Sequence, residues 1–106
     1  MIILTHHATR QAQRRGVTHR SVELAVEFGA RARTRDGCFV RILTERAAQQ
    51  AQRLQPLGVH EVQRALGTTV ITEEIDTLRT VITVLSKHKA IGPERYNKHH
   101  REAVYV

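Results

Sequence analysis

Residues 68–85 read TTVITEEIDTLRTVITVL and contain the two runs of the chain with the strongest β-propensity. Thr68–Thr72 and Leu78–Leu85 each predict a strand, and the acidic segment Glu73–Thr77 between them predicts the turn of a hairpin. Leu78–Leu85 has apolar residues at both alternating sets of positions, which is typical of a strand with both faces covered. The stretch therefore predicts a hairpin whose second strand lies in the interior of a sheet.

A second hairpin is predicted closer to the N-terminus. Residues Ala30–Arg35 alternate small and charged side chains, Cys38–Leu43 is again β-prone, and the Asp36-Gly37 pair stands between them. An Asp-Gly pair between two extended runs favours a tight turn, because both turn positions prefer a positive φ. Ile2–Leu4 is either a brief edge strand or a hydrophobic lead-in to the first helix.

Helices are predicted wherever a threonine precedes a run of helical periodicity. Thr5, Thr18 and Thr44 are suitable N-caps, and a shorter helix over Val59–Leu66 follows the break at Pro56. Glycines end three of these four segments: Gly16, Gly29 and Gly67. In the third helix, Ala47, Ala48, Ala51 and Leu54 form the predicted apolar side.

These elements predict an α+β fold in which two N-terminal helices pack on a roughly four-stranded antiparallel sheet, with a helical insertion between the two hairpins. Residues 1–86 are expected to form the single domain, and residues 87–106 a basic C-terminal tail. A length of 106 residues fits one domain.

The composition favours an anionic partner in a reducing compartment. The formal net charge is +7, with 17 Lys and Arg residues, and most of these are arginines that suit bidentate contacts with phosphate. Cys38 is the only cysteine, so no internal disulfide and no zinc-type ligand spacing exist. No apolar run reaches the length of a membrane span. We therefore expect a cytoplasmic protein with no membrane association, no metal and no cofactor.

The densest ionisable chemistry lies in the segment Thr5–Gly16, THHATRQAQRRG. On a helix, Ala8 and Ala12 would form a buried stripe, so the histidines and arginines would point outward. Histidine can act as an acid or a base near neutral pH, and arginine binds phosphate oxygens. The competing interpretation is a solvated basic face together with one histidine that hydrogen-bonds the sheet.

Further candidates for nucleic-acid binding are cations in the first hairpin and cations with one aromatic residue in the tail. They are Arg31, Arg33, Lys87, Lys89, Arg95, Tyr96 and Lys98. An aromatic ring among cations can stack on a base while its neighbours contact phosphates. The alternative for the tail is a solvated arm.

The order of short motifs resembles a small prokaryotic domain family that is related in outline to the RelE-like and BrnT-like toxins of toxin–antitoxin pairs. The matching residues are His7-Ala8, Arg15-Gly16-Val17, Gly29, Asp36-Gly37-Cys38 and Val81-Ile82-Thr83-Val84. The resemblance covers residues 5 to about 85. The family usually has an arginine four residues after the histidine, where this chain has Gln11, so Arg10 or Arg14 would take over its role.

The resemblance implies a metal-independent endoribonuclease that holds RNA on its first helix and sheet, together with an acidic antitoxin-like protein partner. In that mechanism the 2′-hydroxyl attacks the adjacent phosphate. Its predicted catalytic residues are His7, Arg10, Arg14 and Arg15, and RNA is the expected target rather than DNA. Two alternatives remain open: a basic nucleic-acid-binding module without catalysis, and a protein-interaction module.

Overall fold

The computed structural model of the protein describes residues 1–85. The predicted C-terminal tail, with Lys87, Lys89, Arg95, Tyr96 and Lys98, lies outside this range. Five strands and four helices follow one another within it: β1 (Ile2–Leu4), α1 (His6–Arg14), α2 (His19–Phe28), β2 (Ala30–Arg33), β3 (Phe39–Ile42), α3 (Glu45–Leu54), α4 (Val59–Ala65), β4 (Thr69–Ile75) and β5 (Leu78–Leu85).

The strands form one mixed sheet in the order β1-β5-β4-β3-β2. The predicted α+β class is confirmed, but the sheet has five strands rather than about four, and it is not purely antiparallel. Ile2–Leu4 is a strand, and it pairs in parallel with Arg79–Val81 of β5. The other neighbouring strands are antiparallel. Strand β5 therefore lies between β1 and β4, which confirms its predicted interior position.

The β4–β5 hairpin is longer than the sequence predicted. Residues Glu73, Glu74 and Ile75 belong to β4 rather than to the turn, and only Asp76 and Thr77 connect the strands. Asp76 takes a positive φ of 54°, which the tight two-residue connection requires. Within this extended segment, the carboxylate of Glu74 accepts hydrogen bonds from Arg41 and Thr72.

A bulge interrupts the β4–β5 pairing. Ile71 pairs with Thr83, but Thr72 pairs with Val81, so one residue of β5 is extra. A strict two-residue period would place Val81 and Val84 on opposite faces, whereas both lie in the core cluster beneath the helices. The bulge thus sets which residues of β5 support α1.

The β2–β3 hairpin is confirmed, although its turn differs from the prediction. The connection is a five-residue loop, residues 34–38, in which only Gly37 has a positive φ, at 86°. The hydroxyl of Thr34 donates to the carboxylate of Asp36 and accepts the N–H of Cys38 at 3.0 Å. The Gly37 N–H donates to the carbonyl of Thr34 at 3.3 Å, as in a type I turn followed by one left-handed residue, which needs no second positive φ.

The predicted helix ends are confirmed at the residues that cap them. Thr5, Thr18 and Thr44 each accept a backbone N–H at 3.1 Å, from Ala8, Ser21 and Ala47 respectively. Gly16 follows α1 with φ of 67°, as a left-handed cap requires. Gly29 has ordinary φ, but a Cβ atom there would collide with the carbonyl of Ala25 and lie 3.1 Å from the carbonyl of Ile42.

All four helices contribute to one core cluster on one face of the sheet. Its strand residues are Val70, Val81 and Val84, and the buried Ala8 and Ala12 of α1 pack into it as predicted. A second cluster is formed by Cys38, Val40, Ile42 and Ile71. Leu54 was predicted on the apolar side of α3, but its side chain is 81% exposed because it is the last residue of that helix.

The Thr44 cap should contribute measurably to stability. We expect Thr44→Ala to lower the free energy of unfolding by about 1 kcal/mol, because the N–H of Ala47 loses its acceptor at the start of α3. Thr44→Ser keeps the hydroxyl and should retain most of that stability in a urea titration. Equal losses in the two variants would mean that the methyl group, not the cap, is what Thr44 contributes.

Candidate nucleic-acid interface

Helix α1 presents a cationic surface because its other side is fixed to the sheet. Ala8 and Ala12 are buried against β5, and the side-chain carbonyl of Gln11 accepts the backbone N–H of Val84 at 2.9 Å. At about 100° per residue, these three positions occupy one side of the helix. The opposite side faces solvent, as the alanine stripe predicted.

Four basic residues lie on that exposed side: the predicted catalytic residues His7, Arg10 and Arg14, and the adjacent His6. At about 100° per residue they span an arc of roughly 100°, with the two arginines between the two histidines. We call these four residues the α1 stripe. Helix α1 contains no acidic residue, and none of the four side chains has a hydrogen-bond or ion-pair partner within residues 1–85.

Arg15 does not belong to the α1 stripe. It is the C-cap residue of α1, and its backbone N–H donates to the carbonyl oxygen of Gln11 at 2.9 Å. Helical projection places it about 80–100° from His7 and Arg14, on the far side of Gln11. The structure therefore brings together His7, Arg10 and Arg14 of the predicted catalytic set, and separates Arg15 from them.

Arg31 and Arg33 form a different surface. They lie on β2, the edge strand at the opposite end of the sheet from β1 and β5, which support α1. Three strand spacings, about 14 Å, separate β5 from β2. The guanidinium groups of Arg31 and Arg33 lie 4.6 and 5.7 Å from the centre of the Phe39 ring. The α1 stripe and the β2 arginines thus cannot act as one site on a compact ligand.

A buried ion pair was not predicted from the sequence. Arg41 on β3 donates from Nε and from Nη2 to the two carboxylate oxygens of Glu74, each at 2.9 Å. Thr72 donates to Glu74 at 2.7 Å, and Arg31 approaches it at 3.5 Å. Burial alone would raise the pKa of Glu74, but the hydrogen bonds and charges outweigh burial and hold it below its ordinary value. No sequence signal indicated this pair, because Glu74 lies in the acidic segment that predicted a turn.

The environment of Cys38 disfavours a nucleophilic role. Its side chain is buried in the second core cluster. Burial, together with the nearby Asp36 carboxylate, raises the pKa of the thiol, which disfavours the reactive thiolate. Cys38 is therefore part of the packing.

Two cavities of the protein lie away from the α1 stripe. One cavity of about 260 Å³ lies between α3 and α4, and another of about 250 Å³ lies between α2 and α4; no α1 residue lines either. Within residues 1–85, no group of three or more His, Cys, Asp and Glu side chains is placed to hold a metal ion. In the same range, no helix is long and apolar enough to cross a membrane. The candidate interface is an exposed helix surface.

Comparisons with protein-family models, curated proteins and solved structures find no match to this chain.

Proposed function

We propose that the protein binds nucleic acid, RNA in preference to DNA, through the α1 stripe. The observation that carries this proposal is the set of four exposed basic side chains on one side of a helix that has no acidic residue. Arg10 and Arg14 are four residues apart, so their Cβ atoms lie about 5–6 Å from one another. Two planar guanidinium groups at that separation can contact successive phosphates of one strand.

The contacts on the other side of α1 support a binding role. Ala8, Ala12 and Gln11 attach the helix to β5, so the stripe is held in a fixed orientation before a ligand arrives. The arginines need not break an existing ion pair within residues 1–85 in order to bind phosphate. A preformed surface of this kind costs less to order on binding than a mobile one.

An endoribonuclease is the second candidate, because His7 projects beside the two arginines. In that reaction His7 would accept the proton of the 2′-hydroxyl as its oxygen attacks the adjacent phosphorus. A 2′,3′-cyclic phosphate forms, and the 5′-oxygen leaves as a hydroxyl after taking up a proton. Arg10 and Arg14 would stabilise the negative charge that develops on the non-bridging phosphate oxygens in the transition state.

Replacing both stripe arginines should weaken RNA binding. For Arg10→Ala/Arg14→Ala we expect about a tenfold lower affinity for single-stranded RNA at low salt, measured by fluorescence anisotropy. Each lost phosphate contact should also reduce the slope of log K against log salt concentration by about 0.7 on a single strand, so the slope should fall by about 1.4. The affinity for labelled single-stranded DNA of the same sequence, compared with the affinity for RNA, measures the preference for RNA.

The matched control is Arg46→Ala/Arg53→Ala, which removes the same charge from two exposed arginines of α3. If the two double variants lose equal affinity, binding follows net charge and not the α1 stripe. The same samples, incubated with EDTA and run on a gel, test the second candidate. Intact RNA eliminates the endoribonuclease. Cleavage that disappears in His7→Ala, while binding persists, establishes it.

A further inference from the structure

Strand β2 is an open edge within the described part of the chain. It stands last in the strand order, and its partner in residues 1–85 is β3 on one side only. Its sequence is Ala-Arg-Ala-Arg, and Arg31 and Arg33 are exposed. An edge strand of this kind offers backbone donors and acceptors to another extended segment.

The pairing register shows which backbone groups are open. The N–H of Thr34 donates to the carbonyl of Cys38 at 2.8 Å, so the 34–38 pair is hydrogen-bonded. Bonded and non-bonded pairs alternate along an antiparallel ladder. Ala32 opposite Val40 and Ala30 opposite Ile42 are then bonded pairs, whereas Arg31 and Arg33 direct their N–H and C=O groups away from β3.

The residues with outward backbone groups are also the ones that carry charge. The Arg31 and Arg33 side chains lie on the same face of the sheet, where both approach the Phe39 ring. The Arg31 side chain is 53% exposed, and its contact with Glu74 is long, at 3.5 Å. Both guanidinium groups therefore remain accessible to carboxylates on a neighbouring strand.

We propose that β2 binds an extended acidic segment of a partner protein, which adds to the sheet as a sixth strand. Its carboxylates, at every second residue, lie beside Arg31 and Arg33, and its backbone bonds to the open groups of the same two arginines. A second copy of β2 does not fit this edge, because arginines would face arginines. A nucleic acid would use the side chains alone and leave the backbone groups unpaired. This inference does not depend on the α1 stripe.

The test uses a synthetic peptide of about seven residues in which glutamate alternates with valine or threonine. We expect it to bind in fluorescence anisotropy, and a peptide of equal composition with its glutamates in one block to bind about tenfold more weakly. Two further peptides carry N-methyl groups, either on the glutamates or on the residues between them. Because only one alternate set of amides faces β2, one N-methylated peptide should lose binding by about tenfold or more, and the other should not.

Variants of the protein, with a matched control, test the same proposal. Arg31→Ala/Arg33→Ala should lower the affinity for the alternating peptide about tenfold. Arg46→Ala/Arg53→Ala should lower that affinity much less. Hydrogen exchange provides a second measurement: the peptide should slow exchange of the Arg31 and Arg33 amides and leave the Ala30 and Ala32 amides nearly unchanged.

Three results would overturn the proposal. Equal binding of both N-methylated peptides would show attraction by charge without strand pairing. Failure of the alternating peptide to bind would show that the arginines merely protect the edge. Loss of RNA binding in Arg31→Ala/Arg33→Ala, with no peptide binding, would assign β2 to nucleic acid.

Discussion

Replacing Arg41 with alanine is expected to lower the free energy of unfolding by about 3 kcal/mol, the lower end of the range for buried ion pairs, because the pair is partly buried. Arg41 makes two hydrogen bonds of 2.9 Å to Glu74, and the two side chains are only 11% and 10% exposed. Removing the arginine leaves a carboxylate with little access to water and without its main counter-charge. A urea titration followed by circular dichroism measures the loss.

Two controls separate the buried ion pair from surface charge. Arg31→Ala removes a contact of 3.5 Å made by a side chain that is 53% exposed, so we expect a loss below about 1 kcal/mol. Arg41→Met/Glu74→Leu removes both charges together and should recover most of the stability lost in Arg41→Ala. If Arg31→Ala lowered the free energy of unfolding as much as Arg41→Ala, the exposed and the less accessible contacts of Glu74 would not differ in strength.

The same ion pair gives the protein an acid-sensitive component of stability. The folded-state pKa of Glu74 is lowered, so the folded protein binds this proton less readily than the unfolded chain. Its stabilising contribution is therefore fully present above the unfolded pKa, about 4.3, and is lost as the pH falls through the lower folded pKa. Glu74→Gln should flatten the pH dependence of unfolding in that acidic window.

Local features of the fold were predictable because their signals are carried by adjacent residues. A threonine cap needs only the backbone N–H three residues later, as at Thr5 and Ala8. The sequence does not decide whether Ile2–Leu4 is a strand, because its partner Arg79 lies near the other end of the described chain. The ion pair of Arg41 with Glu74 spans 33 residues and two strands, so it depends on a register that the sequence does not state.

The candidate site was predictable to the extent that helical geometry alone determines it. The buried pair Ala8 and Ala12 correctly predicted that His7, Arg10 and Arg14 face outward. Arg15 was grouped with them although helical spacing places it about 80–100° from His7 and Arg14, and it is the C-cap residue of α1. The distance between α1 and β2 was not predictable, since it follows from β1 inserting beside β5 at the far end of the sheet.

Gln11 should be the polar residue of α1 whose replacement by alanine has the largest effect on stability. We expect Gln11→Ala to lower the free energy of unfolding by about 1–3 kcal/mol, because the backbone N–H of Val84 loses its acceptor. This N–H lies just beyond the end of β1, where β5 has no strand to pair with on that side. Gln13→Ala, an exposed position on the same helix, should change stability by less than about 0.5 kcal/mol.

The choice of side chain at position 11 separates a structural role from a catalytic one. Gln11→Glu retains a side-chain oxygen that can accept the Val84 N–H, whereas Gln11→Arg introduces only donors. We therefore expect Gln11→Glu to be the more stable of the two in urea titrations, and faster exchange of the Val84 amide in Gln11→Arg. A stable Gln11→Arg with an exchange-protected Val84 amide would refute the structural role. The expected result means that an arginine there cannot replace the contact that holds the α1 stripe outward in this chain.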